Sequence, residues 1–212
     1  DVYLAGIYLW VEGSPAYNFI DNDLFTILQN DIFDFESRGR VLICGDLNAR
    51  VGNGDKKDYI ECDRVVDFID NADYCPDSPL KRTSMDNRSN SHGLKLLDLC
   101  KSTEMRIANG RLSKDHACGK YTYVGPLGAS VIDYLLLREQ DFSILKMFEV
   151  ESFNLWSDHA PLSFVINCNM KFNCPHEQVT RTNVRWDESL KHEFRRGIIS
   201  KLPMFNNITQ NL

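Results

Sequence analysis

The chain has 212 residues, 43% of them hydrophobic, and a net charge of −6 at pH 7. That length suits one good-sized α/β core, and no apolar run approaches the roughly 18–20 residues that span a bilayer. Nucleic-acid binders usually carry a basic face, so the acidic balance argues against a broad non-specific DNA surface and suits a carboxylate-rich site that holds cations.

Residues 1–10 alternate and carry β-branched and aromatic side chains, which predicts a strand. A starting Met, a basic leader and a small-residue cleavage site are all missing there, so the segment does not read as a signal peptide and the sequence reads as beginning in mid-gene. Residues 22–37 place Leu24, Leu28, Ile32 and Phe35 at helical spacing. VLICG, residues 41–45, is a short continuous apolar run, as expected for a strand buried on both faces. Residues 52–92 are rich in Gly, Asp, Asn and Ser and predict a long loop with short elements such as RVVDFI. A helix is expected over 93–102, a strand near MRIAN, and three more strands at YTYV, SVIDYLLL and PLSFVINC. Without a strict βαβ rhythm, these elements favour mixed sheets packed with helices. Beyond about residue 170 a polar stretch leads to Leu190, Phe194, Ile198 and Leu202, one apolar helical stripe. Residues 1–170 are therefore expected to form one domain, and 171–212 a linker plus an amphipathic helix. The seven cysteines are odd in number and form no CxxC pair, as expected of free thiols in a reducing compartment.

Three stretches carry chemistry. Gly45-Asp46-Leu47-Asn48-Ala49 follows the buried strand. A carboxylate and an amide two residues apart on extended chain project into the same cleft, where Asp can orient a water and Asn can contact a phosphate; the same pattern also suits an Asx turn closing the strand. In Ser130-Val131-Ile132-Asp133-Tyr134-Leu135-Leu136-Leu137, Asp133 sits within an otherwise apolar strand, and a buried carboxylate there is costly unless paired. In Ser157-Asp158-His159-Ala160-Pro161-Leu162, His159 can act as a general acid or base and Asp158 can ligate a hard cation. A carboxylate partner would fix the tautomer of His159, and Asp133 is the natural candidate.

Taken together and in this order, GD-x-N, S-x-x-DY and SDH resemble the signature of the endonuclease/exonuclease/phosphatase superfamily, over residues 1 to about 168. The resemblance implies an α/β, DNase I-like fold: a two-sheet β-sandwich flanked by helices, here lacking its first strands, with the site at one edge. It implies that Asp46 orients the attacking water, that Asn48 contacts phosphate and nucleophile, that Asp133 pairs with the catalytic His159, and that Asp158 belongs to the metal site. Tyr8, in Gly6-Ile7-Tyr8-Leu9, resembles the tyrosine of the family's xYxP strand, with Trp10 where the Pro usually stands. Thr122 and Ser130 resemble polar residues that line the phosphate cleft, and Arg50 is expected with them as a substrate-binding residue. The family's principal metal-ligating Glu, in an LQE-like motif, would lie upstream of residue 1. The implied activity is hydrolysis of phosphodiesters, DNA foremost, with Mg²⁺ (or Mn²⁺) as cofactor.

A finer resemblance rests on R-x-S-x-D-x-x-x-N from Arg82 to Asn90, then HGLKLLDLC, IANGR and GKYTYVGPLGASVIDYLLL. These are similar to the endonuclease domain of non-LTR retrotransposons. That likeness implies nicking of target DNA, a reverse transcriptase region in the same parent polypeptide, action in the nucleus and no membrane partner. Two alternatives stay open: a family enzyme with another substrate, and an inactive remnant or interaction module that keeps the fold.

Overall fold

A computed structural model of the chain describes residues 1–53, 56–60, 77, 79–167, 189, 191–193 and 195–197. The chain divides into two compact units, Asp1–Asn169 and Met170–Leu212. In the second, residues 191–193 and 195–197 are helical. The expected stripe of Leu190, Phe194, Ile198 and Leu202 lies outside the described residues, as does RVVDFI. No helix among the described residues is long and apolar enough to cross a membrane.

The first unit runs β1 (Val2–Tyr8), α1 (Leu24–Glu36), β2 (Arg40–Asp46), α2 (Ser91–Thr103), β3 (Met105–Ile107), β4 (Tyr123–Gly125), β5 (Gly128–Ser130), β6 (Asp133–Arg138), β7 (Leu145–Val150) and β8 (Leu162–Ile166). Its central sheet has the order β1-β2-β6-β3, with β1 parallel to β2 and the other neighbours antiparallel. β4 with β5, and β7 with β8, form separate two-stranded sheets.

Strand alternation sorts the core into two. Val41, Ile43, Tyr134 and Leu136 join Leu28 and Ile32 of α1 and Leu96 and Cys100 of α2. Leu42, Leu135 and Leu137 point the other way and join Phe148 and Val150 of β7, with Leu162 and Phe164 of β8 packed against them. Burial on both faces is why VLIC and YLLL read as unbroken apolar runs. The result is a mixed α/β fold of helices, a four-stranded sheet and a second, two-stranded sheet in successive layers. In α1, Phe25 replaces Phe35 in the buried stripe; Phe35 instead stacks on Tyr3, ring centroids 5.1 Å apart.

One expected strand is two. SVIDYLLL breaks at Val131-Ile132, so Asp133 opens β6 and does not sit inside it. Side chains capture the backbone at the break: Val131 N–H donates to Asp86 (3.1 Å), and the N–H groups of Ile132 and Asp133 both donate to Thr122 Oγ1 (3.0 Å each). Groups so engaged cannot continue a ladder. The cysteines within the described residues, Cys44, Cys100 and Cys118, are free thiols.

Candidate active site

Strand register builds the site. β1 and β2 end in step, with Tyr8 opposite Asp46, and antiparallel β6 begins at the same level, with Asp46 opposite Asp133. Three strand ends thus deliver a tyrosine and two carboxylates to one edge of the sheet. Gly45 lets β1 and β2 come this close: its φ is +148°, and a Cβ there would lie 1.9 Å from the Ile7 carbonyl oxygen.

His159 reaches the same edge beside β4. Tyr123 forms an antiparallel bridge with it, Ala160 N–H donates to Thr122 O (2.8 Å), and Val124 N–H donates to Asp158 O (2.9 Å). His159 Nδ1 then lies 3.1 and 3.0 Å from the two carboxylate oxygens of Asp133. Its ring packs against that of Tyr123, centroids 4.9 Å apart at 57°. Asp46, Asp133 and His159 offer ligand atoms that all lie within 4.8 Å of one another.

The turn after β2 shapes the other wall. Asn48 adopts a left-handed conformation, φ +46°, which Asn tolerates better than most residues. Its N–H donates to Asp46 Oδ1 (2.8 Å), and its Nδ2 donates to Leu9 O (2.7 Å) and to Asp46 Oδ2 (3.2 Å). The Asx turn and the site are therefore one structure. Burial raises the pKa of Asp46 above the ordinary carboxylate range, with Asp133 adding to the effect, while the hydrogen bonds from Asn48 and the proximity of His159 oppose it.

A brace from a third segment holds this turn. The Asn90 side chain caps α2 by accepting from Gly93 N–H (2.8 Å), also accepts from Arg50 N–H (2.8 Å), and donates to Asn48 O (3.0 Å). The Arg50 guanidinium grips Asp86 through two bonds of 2.8 and 2.6 Å. Asp86 is 3% exposed. Burial opposes its charge, but the Arg50 pair and the N–H groups of Arg88 and Val131 outweigh it and hold its pKa below the usual range. Arg50 is correspondingly held more firmly in its charged form by its bond to Asp86.

The cavity at this edge is about 430 Å³ and is lined by Tyr8, Asp46, Asn48, Arg50, Ser130 and His159 from the expected set. Tyr8 is well exposed there. Three expected residues are outside this lining: Asp133, which reaches the site through His159, and two that stand elsewhere. Thr122 is 0% exposed; because its hydroxyl and carbonyl hold the backbones at Asp133 and Ala160, it lies beneath the cleft as a positioning residue and does not line it. Asp158 is exposed and lies outside both the cavity lining and the cluster of Asp46, Asp133 and His159. His159 is bridged to β4 as a strand residue would be, and successive side chains on extended chain point opposite ways, so with His159 turned into the site Asp158 is turned out of it. Glu12, Asn90 and Tyr123 also line the cavity, outside the expected set. Asn90 carried a readable signal, since it is a residue of capping type three positions before the start of the predicted helix at 93; Tyr123 and Glu12 carried none.

The donor set fits a hard divalent cation: carboxylates and an amide gather at an open cavity, and no cysteine among the described residues joins them. Asp133 is shared with His159, which leaves Asp46 as the carboxylate best placed to hold such an ion.

No protein-family model matches the sequence, and no curated protein does. Among solved structures, the fold is similar to that of a 3′-5′ exonuclease, NExo, from Neisseria meningitidis, at 18% identity and a TM-score of 0.48 over 78% of this chain and 61% of that one. A substituted form of the 3′ phosphatase NExo from Neisseria, bound to a product DNA hairpin, gives 18% identity and 0.44 over 74% and 56%. The endonuclease domain of TRAS1, a telomere-specific non-LTR retrotransposon, gives 16% and 0.42 over 72% and 56%. The chain thus spans somewhat less than two thirds of each of these structures. The likeness is one of fold: mixed α/β with several small sheets and helices.

Proposed function

We propose that this chain is a metal-dependent phosphodiester hydrolase of the endonuclease/exonuclease/phosphatase kind and that its substrate is DNA. The observation that carries the reading is the Asp133–His159 pair facing Asp46 across an open cavity, assembled from two strand ends and the segment before β8, which are far apart in sequence.

Asp133 accepts from Nδ1–H of His159, which fixes the tautomer and turns Nε2 to the substrate side. There His159 donates a proton or a hydrogen bond to a phosphoryl oxygen as charge develops on it. Asp46, held by Asn48, orients the attacking water. Arg50, kept charged by Asp86, adds positive potential toward the phosphate. A divalent cation held by Asp46, Mg²⁺ by preference and Mn²⁺ next, would supply charge neutralisation at the phosphate.

The finer reading is a nickase that prepares target DNA for reverse transcription within a longer polypeptide. Its support is that the Arg82–Asn90 stretch, which carries the retrotransposon-like pattern, is the segment that braces the site: Arg82 binds Gly52 O, Asp86 binds Arg50, and Asn90 binds Asn48 and Arg50. The test is nicking of supercoiled plasmid by the 212-residue chain, with Mg²⁺ and with chelator, beside His159→Ala. Metal-dependent nicking that the variant loses supports the proposal. No nicking by a chain shown to be folded defeats it for this chain and favours the remnant reading.

A further inference from the structure

The segment that delivers His159 also displays two large apolar side chains to solvent. Leu155 is 100% exposed and Trp156 94% exposed. Burial is the normal fate of an indole, and full display usually marks a contact surface. The display is built: Trp156 N–H donates to Asn154 Oδ1 (2.8 Å), Asn154 and Ser157 form a bridge, and His159 N–H donates to Ser157 Oγ (3.0 Å). These local bonds close a tight turn whose two central residues face outward. The turn is tied in sequence to the site, because Trp156 stands only three positions before His159, a reach of at most about 10 Å, or about three nucleotide steps along one strand. The antiparallel bridge between Tyr123 and His159 sends the tip of the β4–β5 hairpin out beside this turn, and Leu127 at that tip is 99% exposed.

We propose that Trp156 is a substrate-binding residue that stacks on a nucleobase within a few nucleotides of the phosphate held at His159; this rests on the phosphodiesterase reading of the site. A base offers a π-face whatever its identity, so an exposed indole gives affinity without sequence choice and supplies what the acidic chain lacks in broad electrostatic attraction. A membrane is the less fitting occupant. Residues 147–167 contain no Lys or Arg, whereas Glu149, Glu151 and Asp158 flank the turn; interfacial anchoring draws on basic residues as well as apolar area.

The experiment uses the full chain with Trp10→Phe and Trp186→Phe, so that Trp156 alone emits. It is titrated in chelator with a 12-nucleotide single strand, the matching duplex, and phosphatidylcholine/phosphatidylserine vesicles. Beside it, wild type, Trp156→Ala and Trp156→Phe are assayed on a labelled oligonucleotide and on bis(4-nitrophenyl) phosphate, a diester without a base. The expected result is saturable quenching by oligonucleotide, a 5- to 150-fold rise in oligonucleotide Kd and KM for Trp156→Ala, partial rescue by Trp156→Phe, and unchanged hydrolysis of the small diester. Unchanged emission and affinity in a chain that cleaves both substrates overturns the stacking role and leaves the hydrolase reading standing. A blue shift on vesicles without a response to oligonucleotide assigns the turn to a membrane and overturns it too. Hydrolysis of neither substrate by wild type counts against the function itself, and quenching by oligonucleotide in that same chain still supports the contact.

Discussion

Gly93 tests whether the brace beneath the site is what places it. The residue is in the first turn of α2, and a Cβ built there would lie 1.8 Å from the Arg50 carbonyl oxygen. In Gly93→Ala the helix end and the 48–51 turn must separate by about 1.2 Å before that approach reaches 3.0 Å. Asn90 makes three bonds across this junction, to Arg50 N, from its own N–H to Arg50 O, and to Asn48 O, at 2.8, 3.0 and 3.0 Å. A shift of that size carries all three beyond hydrogen-bonding distance. At about 1 kcal/mol each the loss is about 3 kcal/mol. Ala in place of Gly returns about 1 kcal/mol of helix propensity. The net destabilisation is about 2 kcal/mol, or a fall of roughly 4–8 °C in melting temperature for a domain of this length. Displacement of Asn48 and Arg50 by about 1 Å should lower turnover roughly 100-fold. Thermal melts and a diester hydrolysis assay on the same preparation decide the matter. A variant that melts at or above the wild-type temperature would mean that propensity wins and that the contact is not a close one, and the argument for a brace would fail.

Other outcomes follow from the same geometry. His159→Ala should lower turnover by about 10²–10⁴-fold with folding largely intact, measured by hydrolysis and by circular dichroism, because His159 is partly exposed and its loss opens little core. Thr122→Val keeps the shape and removes the acceptor for two buried N–H groups; it should cost about 2–4 kcal/mol by denaturant melts and misplace Asp133, whereas Thr122→Ser should restore both stability and turnover. Asp86→Ala strands the Arg50 guanidinium and frees the Val131 N–H, so both stability and KM should suffer, while Arg50→Lys, which cannot fork onto Asp86, should show a milder form of the same defect.

The sheet was legible because its strands are buried on both faces. VLIC and YLLL carry that fact in composition alone, and both helices showed in the spacing of Leu24, Leu28 and Ile32 and in GLKLLDLC. What stayed hidden was set by side-chain capture of backbone. The split of SVIDYLLL depends on Thr122 and Asp86, which are 8 and 44 residues from its first residue, Ser130, and no local pattern announces them. β7, LKMFEV, has mixed polarity because one face meets solvent, and three residues of β5, GAS, are too few to show alternation. The chemistry-bearing residues Asp46, Asn48, Asp133 and His159 could be named from short motifs, but their convergence could not, because it follows from register between β1, β2 and β6. Asp158 shows the cost of reading a motif as a unit: it neighbours His159 in sequence, yet the exposed turn keeps it out of the carboxylate cluster.

Placing Asp46 opposite Asp133 at the mouth of a cavity has a thermodynamic consequence of its own. Burial and the neighbouring carboxylate raise the pKa of Asp46, so between its unfolded and folded pKa values the native chain binds more protons than the unfolded one. Stability therefore falls as pH rises through that window and stays reduced above it. Removing the charge in Asp46→Asn should raise stability at neutral pH, and the gain should vanish below the ordinary carboxylate range. A cation held by Asp46 relieves the same repulsion. At ten times its Kd it should stabilise wild type by about 1.4 kcal/mol, roughly 3–6 °C, and Asp46→Asn hardly at all. Melts of both proteins with Mg²⁺, Mn²⁺ and chelator, across pH, measure the two effects together. A site that holds the reacting groups at the expense of stability predicts opposite signs in the variant: more stable without metal, and blind to it. If Mg²⁺ or Mn²⁺ raised the two melting temperatures equally, the ion would be binding elsewhere, and Asp46 would lose its place in the proposed metal site.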